Sequence, residues 1–123
     1  LKRGEKMKVE GIWGVESYGM YGWERVSTAV LENGRYFAAS ANHYTIGSYK
    51  KKKDKFTAKT RITQYGEVRV IFGAKLKKYD ALFKGKIKNN GEIVGKILPV
   101  TGEKLDVAVR WKRLEKLGKA GLT

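Results

Sequence analysis

Lys55-Phe56-Thr57-Ala58-Lys59-Thr60-Arg61-Ile62-Thr63 is the stretch on which the fold turns. Phe56, Ala58, Thr60 and Ile62 fall on one side of a two-residue repeat, and Lys55, Thr57, Lys59 and Arg61 on the other. A strand sends alternate side chains to opposite faces, so the first set is buried and the second is wet. Residues 104–112 repeat the pattern, with Leu105, Val107, Val109 and Trp111 opposed to Lys104, Asp106, Arg110 and Lys112. Residues 81–88 set Phe83, Gly85 and Ile87 against Lys84, Lys86 and Lys88, and residues 92–98 turn Ile93, Gly95 and Ile97 inward. One dry and one wet face per strand is the mark of antiparallel sheet.

The separators are hairpin turns. Asn33-Gly34 and Asn89-Asn90-Gly91 supply the positive φ angles that tight turns need. Strand-like segments near 9–16, 23–31, 35–40, 43–50, 55–63, 67–73, 80–88, 92–98 and 104–112 give about eight or nine strands in meander order. Such a meander either closes or leaves two exposed edges, and closure removes the hazard of edge-to-edge aggregation. The expected fold is therefore all-β: an eight-stranded antiparallel up-and-down barrel. Residues 9–113 form its single domain, residues 1–8 read as a leader or expression remnant, and residues 114–123 as a tail containing one helical turn. Gly14, Gly47, Ala58, Gly85 and Gly95 are expected to point inward. There they let coiled strands bend, or leave a cavity for an apolar ligand.

The chain of 123 residues is long enough for one core. It contains no cysteine, which excludes disulfides, thiolate metal sites and cysteine nucleophiles and accords with a reducing, cytoplasmic setting. No stretch approaches the roughly 18 apolar residues of a membrane-spanning helix. The net charge of +15 favours anionic partners.

Gly11-Ile12-Trp13 on the first strand, with Arg110 and Arg113 at the last, resembles the Gly-x-Trp and arginine pair of lipocalin-like barrels. In them the strand-one indole closes the floor beneath a last-strand arginine, a cation–π contact. Residues 9–16, the glycine-rich loop 17–22, residues 30–35 and 44–49, Phe56-Thr57-Ala58, Gly85-Lys86-Ile87 and residues 105–110 together resemble the small bacterial barrels grouped with the type III secretion negative regulator GrlR. That resemblance implies a cytoplasmic lipocalin-like barrel, often dimeric, whose regulatory member binds a transcription activator and catalyses nothing. It also implies that Trp13 is structural, with Arg110 or Arg113 over its ring. The chain departs from the group in charge: its hairpin at 50–53 carries lysines and no acidic cluster.

The residue types that carry chemistry are sparse. His43 is the only histidine. A metal site needs further histidines or carboxylates around it, and a serine nucleophile would need His43 as its base. It reads as a strand-start residue near the rim whose replacement by alanine leaves the fold nearly unchanged, with axial haem ligation as the alternative. No catalytic residue, metal ligand or cofactor is assigned. Tyr18, Met20, Tyr21 and Trp23 are large side chains around the glycine-rich loop. They either fold back and plug the barrel or form a contact site at its mouth. Lys84, Lys86 and Lys88 share an outward face to which Lys96, Lys104, Arg110 and Lys112 add, a candidate polyanion site. Val15, Val94 and Leu98 are expected to face outward and to support a symmetric homodimer.

These readings converge on a non-enzymatic binding or regulatory module. It would contact a protein partner or a small apolar ligand through Tyr18, Met20, Tyr21 and Trp23. The alternative is binding of nucleic acid or another acidic surface through Lys84, Lys86, Lys88, Lys96, Arg110 and Lys112.

Overall fold

The computed structural model describes residues 8–100 and 107–117. Their strands are β1 (Gly11–Gly19), β2 (Gly22–Glu32), β3 (Arg35–Ala39), β4 (His43–Lys52), β5 (Lys55–Gln64), β6 (Lys78–Ile87), β7 (Ile93–Pro99) and β8 (Val107–Lys116). Each pairs antiparallel with the next, and β1 pairs with β8, so the chain forms a closed lipocalin-like barrel in sequence order. The alternation in residues 55–63 is realised: Phe56, Ala58, Thr60 and Ile62 are buried, while Lys55, Lys59 and Arg61 are exposed. Asn33 and Gly34 take φ of 50° and 78°, the left-handed pair of a two-residue hairpin.

Aromatic rings fill the floor of the barrel. Trp111 lies at the centre, with the rings of Tyr36, Phe56 and Phe83 at 5.1, 5.3 and 5.4 Å and Trp13 at 6.4 Å. Trp13 is fully buried and its Nε1 donates to the Val9 carbonyl at 2.8 Å. The Arg113 guanidinium lies 4.8 Å from the Trp13 ring centroid and donates to the Lys8 carbonyl. Of the two candidate arginines, Arg113 is thus the one over the indole. Lys8 and Val9 belong to this floor; residues 1–7, the rest of the expected leader, lie outside the described residues.

Several expectations are corrected. Residues 67–73 form no strand. Between β5 and β6 the chain makes a loop whose tip is a single bridge, Ile71 to Ala74, because β5 is already paired on both edges. Ile71 and Phe72 pack into the core from this loop. β8 runs to Lys116, so the helical turn at 114–117 is absent and the boundary at 113 falls inside a strand. Lys104 and Leu105 lie outside the described residues. Val15 points inward and is buried, whereas Gly14 faces outward beneath the Arg25 guanidinium. β1 carries register shifts at Val15/Glu16 against β2 and at Ile12/Trp13 against β8, which local alternation does not reveal.

The inward glycines mark close approaches of strands. A Cβ on Gly47 would stand 2.1 Å from the Lys59 carbonyl oxygen, and one on Gly95 2.0 Å from that of Lys84. Glycine is required there because the wall bends sharply, and the bend sinks the outer surface over it.

Candidate functional site

The β1–β2 hairpin projects from the mouth, and its side chains do not fold back to plug it. Met20 is 89 % exposed and Tyr21 86 %, with Tyr18 also exposed. The mouth is occupied instead by the β5–β6 loop. Trp23, opposite Tyr18 across the hairpin, meets that ring edge-on at 5.4 Å. Its other contact is Arg110, whose guanidinium carbon sits 4.3 Å from the indole centroid.

Arg110 is held in turn by Glu16. Its Nε donates to Glu16 Oε1 at 2.7 Å, with Lys112 at 4.0 Å and Arg25 at 3.9 Å from the same carboxylate. The hydrogen bond from Arg110 holds the Glu16 carboxyl below its ordinary pKa, and the neighbouring cations act in the same direction. The result is a braced arm: Glu16 fixes Arg110, Arg110 and Tyr18 fix Trp23, and the tip stays in solvent. Glu16 and Arg110 are 94 residues apart in sequence, which is why single-strand reading missed the brace.

The lysines divide differently from the expected face. Lys84 and Lys96 stand directly opposite each other on β6 and β7, and Lys86 lies opposite Lys55. Lys86 also reaches Asp54, at 3.6 Å. Lys88 leaves β6 and enters the β6–β7 turn. Arg110 is hydrogen-bonded to Glu16, while Lys112, 4.0 Å from the same carboxylate, keeps 42 % of its side chain exposed. Val94 and Leu98 do face outward, on this lysine-bearing wall.

His43 begins β4 at the mouth end of the barrel, as expected, but is only 3 % exposed. The Ser40 hydroxyl oxygen accepts from the amides of Asn42 and His43, both at 3.2 Å. The same oxygen lies 2.7 Å from His43 Nδ1, a hydrogen bond whose direction follows the imidazole tautomer. Nε2 has no hydrogen-bond partner among the described residues. Ser40 is thus the cap of a tight turn. Among the described residues there is no group of three or more His, Asp or Glu that could hold a metal ion. Among the described residues no helix is long and apolar enough to cross a membrane.

Burial lowers the His43 pKa from its ordinary 6.5, because the cation would lose its hydration. The unfolded chain then binds this proton at a higher pH than the folded one. The stability contributed is complete above pH 6.5 and is lost as the pH falls below it toward the folded value. Urea midpoints are expected to drop between about pH 7 and about pH 5, and His43→Gln to flatten that slope. His43→Ala, expected from sequence to be silent, should instead destabilise by about 1–3 kcal/mol through the lost packing and the lost hydrogen bond to Ser40.

No protein-family model matches the chain, and no curated protein matches it. The class defined by the fold and these surfaces is a lipocalin-like closed barrel with an aromatic-filled floor, a loop across its mouth and its chemically distinctive side chains on the outside.

Proposed function

We propose that the chain is a non-enzymatic binding module that contacts a protein partner through the β1–β2 hairpin. The observation that carries this reading is the exposed trio Tyr18, Met20 and Tyr21 on an arm braced by Trp23, Arg110 and Glu16. Exposed aromatic and methionine side chains are favoured at interfaces, and bracing reduces the entropy lost on binding. Entry of a small apolar ligand is less favoured, since Trp111 and its neighbours occupy the floor. Kinship with the GrlR group belongs to the same reading; its support is the eight-stranded barrel with Trp13 beneath Arg113. A cytoplasmic setting accords with the absence of cysteine.

The test is affinity purification from the source cells with the parent and a Met20→Ser/Tyr21→Ser variant of unchanged thermal stability. A specific protein should be retained at least about tenfold better by the parent, as loss of a central aromatic contact implies. Identical retained sets would rule out the hairpin as the contact.

A second reading, weak polyanion binding, is favoured by the gathering of Lys84, Lys86 and Lys96 on the neighbouring strands β6 and β7 within a chain of net charge +15. Binding to heparin or duplex DNA should be salt-sensitive, with a logarithmic slope of about 0.9 per phosphate contact on duplex DNA. Replacing Lys84, Lys86 and Lys96 by Gln should weaken it at about 50 mM salt. Unchanged affinity in that variant would reduce these lysines to a solubility feature.

A further inference from the structure

The outer wall of β3 to β7 is sunken and apolar where the inward glycines bend it. One hollow of about 670 Å³ is lined by Phe37, Ile46 and Leu82, with Gly47 at its base. A second, of about 660 Å³, is lined by Leu82, Val94 and Leu98 over Gly85 and Gly95. Leu82 lines both. Cross-strand register makes them rows: Phe37 stands opposite Ile46, and Leu82 opposite Leu98. The rim is cationic, with Arg35 and Lys59 at the first hollow and Lys84 and Lys96 at the second. The one carboxylate among the lining residues, Asp80, is engaged by Arg61 at 2.8 Å.

An apolar floor inside a basic rim selects its occupant by chemistry. Nucleic acid satisfies the rim and leaves the floor wet. A second copy would bring the same lysine-rimmed wall and a further net charge of +15, so like would meet like. We propose that this wall docks an acidic amphipathic helix of a partner protein. Its apolar side chains would enter the two hollows and its carboxylates would meet the flanking lysines and arginine. Apolar residues on a helix face recur every 5–6 Å or so, close to the roughly 4.8 Å between neighbouring strands, so a helix laid across the strands sets successive apolar side chains over successive strands. None of the lining residues belongs to β1 or β2, so the surface is separate from the hairpin arm.

The probe is a synthetic peptide of about fourteen residues, four helical turns, with leucine at amphipathic spacing and glutamate elsewhere. A permuted isomer of identical composition that lacks the apolar face is its control. Titration into isotope-labelled protein should shift the amides of Phe37, Ile46, Leu82 and Leu98, and the permuted peptide should bind at least about tenfold more weakly. Ile46→Ser/Leu82→Ser should lose about tenfold in affinity with its amide spectrum still dispersed, and Lys84→Gln/Lys96→Gln should lose a similar factor at low salt. Equal binding of the two peptides, or sensitivity to the lysine changes alone, would overturn the helix and leave only polyanion binding. Absence of shifts at millimolar peptide would overturn it as well. Sedimentation showing a dimer that Ile46→Ser/Leu82→Ser dissociates would assign the wall to a second copy instead.

Discussion

Trp13→Ala is expected to lower the unfolding free energy by about 3–5 kcal/mol, a large part of the total for a domain of this size. The indole is fully buried between Trp111 and the Arg113 guanidinium. Truncation removes its packing, opens a cavity at the floor and leaves the Val9 carbonyl without its donor. It also uncovers Arg113, whose Nε is buried without a hydrogen-bond partner and whose pKa burial already lowers. That cation would face a hole in place of a ring, which places the cost toward the upper end of the range. Trp13→Phe should cost less than the alanine change, because a ring remains while the hydrogen bond to Val9 is lost. Equilibrium urea denaturation separates these effects, and a double-mutant cycle with Arg113→Met isolates the cation–π term. A loss below about 1 kcal/mol for Trp13→Ala would mean that the floor is not held by this residue.

The second large effect concerns the loop across the mouth. Gln64 is fully buried at the end of β5, and its one amide group holds both sides of the following loop. Nε2 donates to the carbonyls of Arg69 and Leu76 at 2.8 and 2.9 Å, and Oε1 accepts from the Arg69 amide at 2.8 Å. Tyr79 adds a bond from its hydroxyl to the Ile71 carbonyl at 2.6 Å. At the loop tip Phe72 has φ of 50°, a left-handed conformation costly for a bulky residue, and burial of its ring offsets that strain. Gln64→Ala should therefore release the loop, at a cost of about 2–3 kcal/mol for the unsatisfied backbone groups and the void. Hydrogen exchange should show amides of residues 66–77 losing protection by about ten- to a hundredfold, with β1 to β4 little changed. Gln64→Glu should do no better, because a carboxylate cannot donate to the two carbonyls and repels them. Exchange unchanged in both variants would show that the apolar contacts of Ile71 and Phe72 suffice to hold the loop.

The alternation of residues 55–63 determined by itself which side of β5 is dry, because side chains on a strand alternate whatever its neighbours are. The turn at Asn33-Gly34 was equally legible, since its φ angles of 50° and 78° suit few other residue pairs. A floor built on Trp13 and a last-strand arginine was implied by the resemblance to lipocalin-like barrels, and the structure chooses Arg113. Closure decided the rest. Val68 and Val70 alternate with Arg69 as a strand would, but β5 and β6 are already paired on both edges. The segment instead became a loop latched by Gln64, a residue with no distinguishing sequence signal. Val15 is two residues from Trp13 and shares its buried face, so an inward Gly14 and an outward Val15 set the alternation of β1 one residue out of phase. The hold of Glu16 on Arg110 exists only once β8 is brought beside β1. The hollows behind Gly47, Gly85 and Gly95 exist only because neighbouring strands approach within a Cβ's reach. Local pattern records how each strand is wetted; register, bulges and the meeting of charges far apart in sequence are set only when the last strand closes on the first.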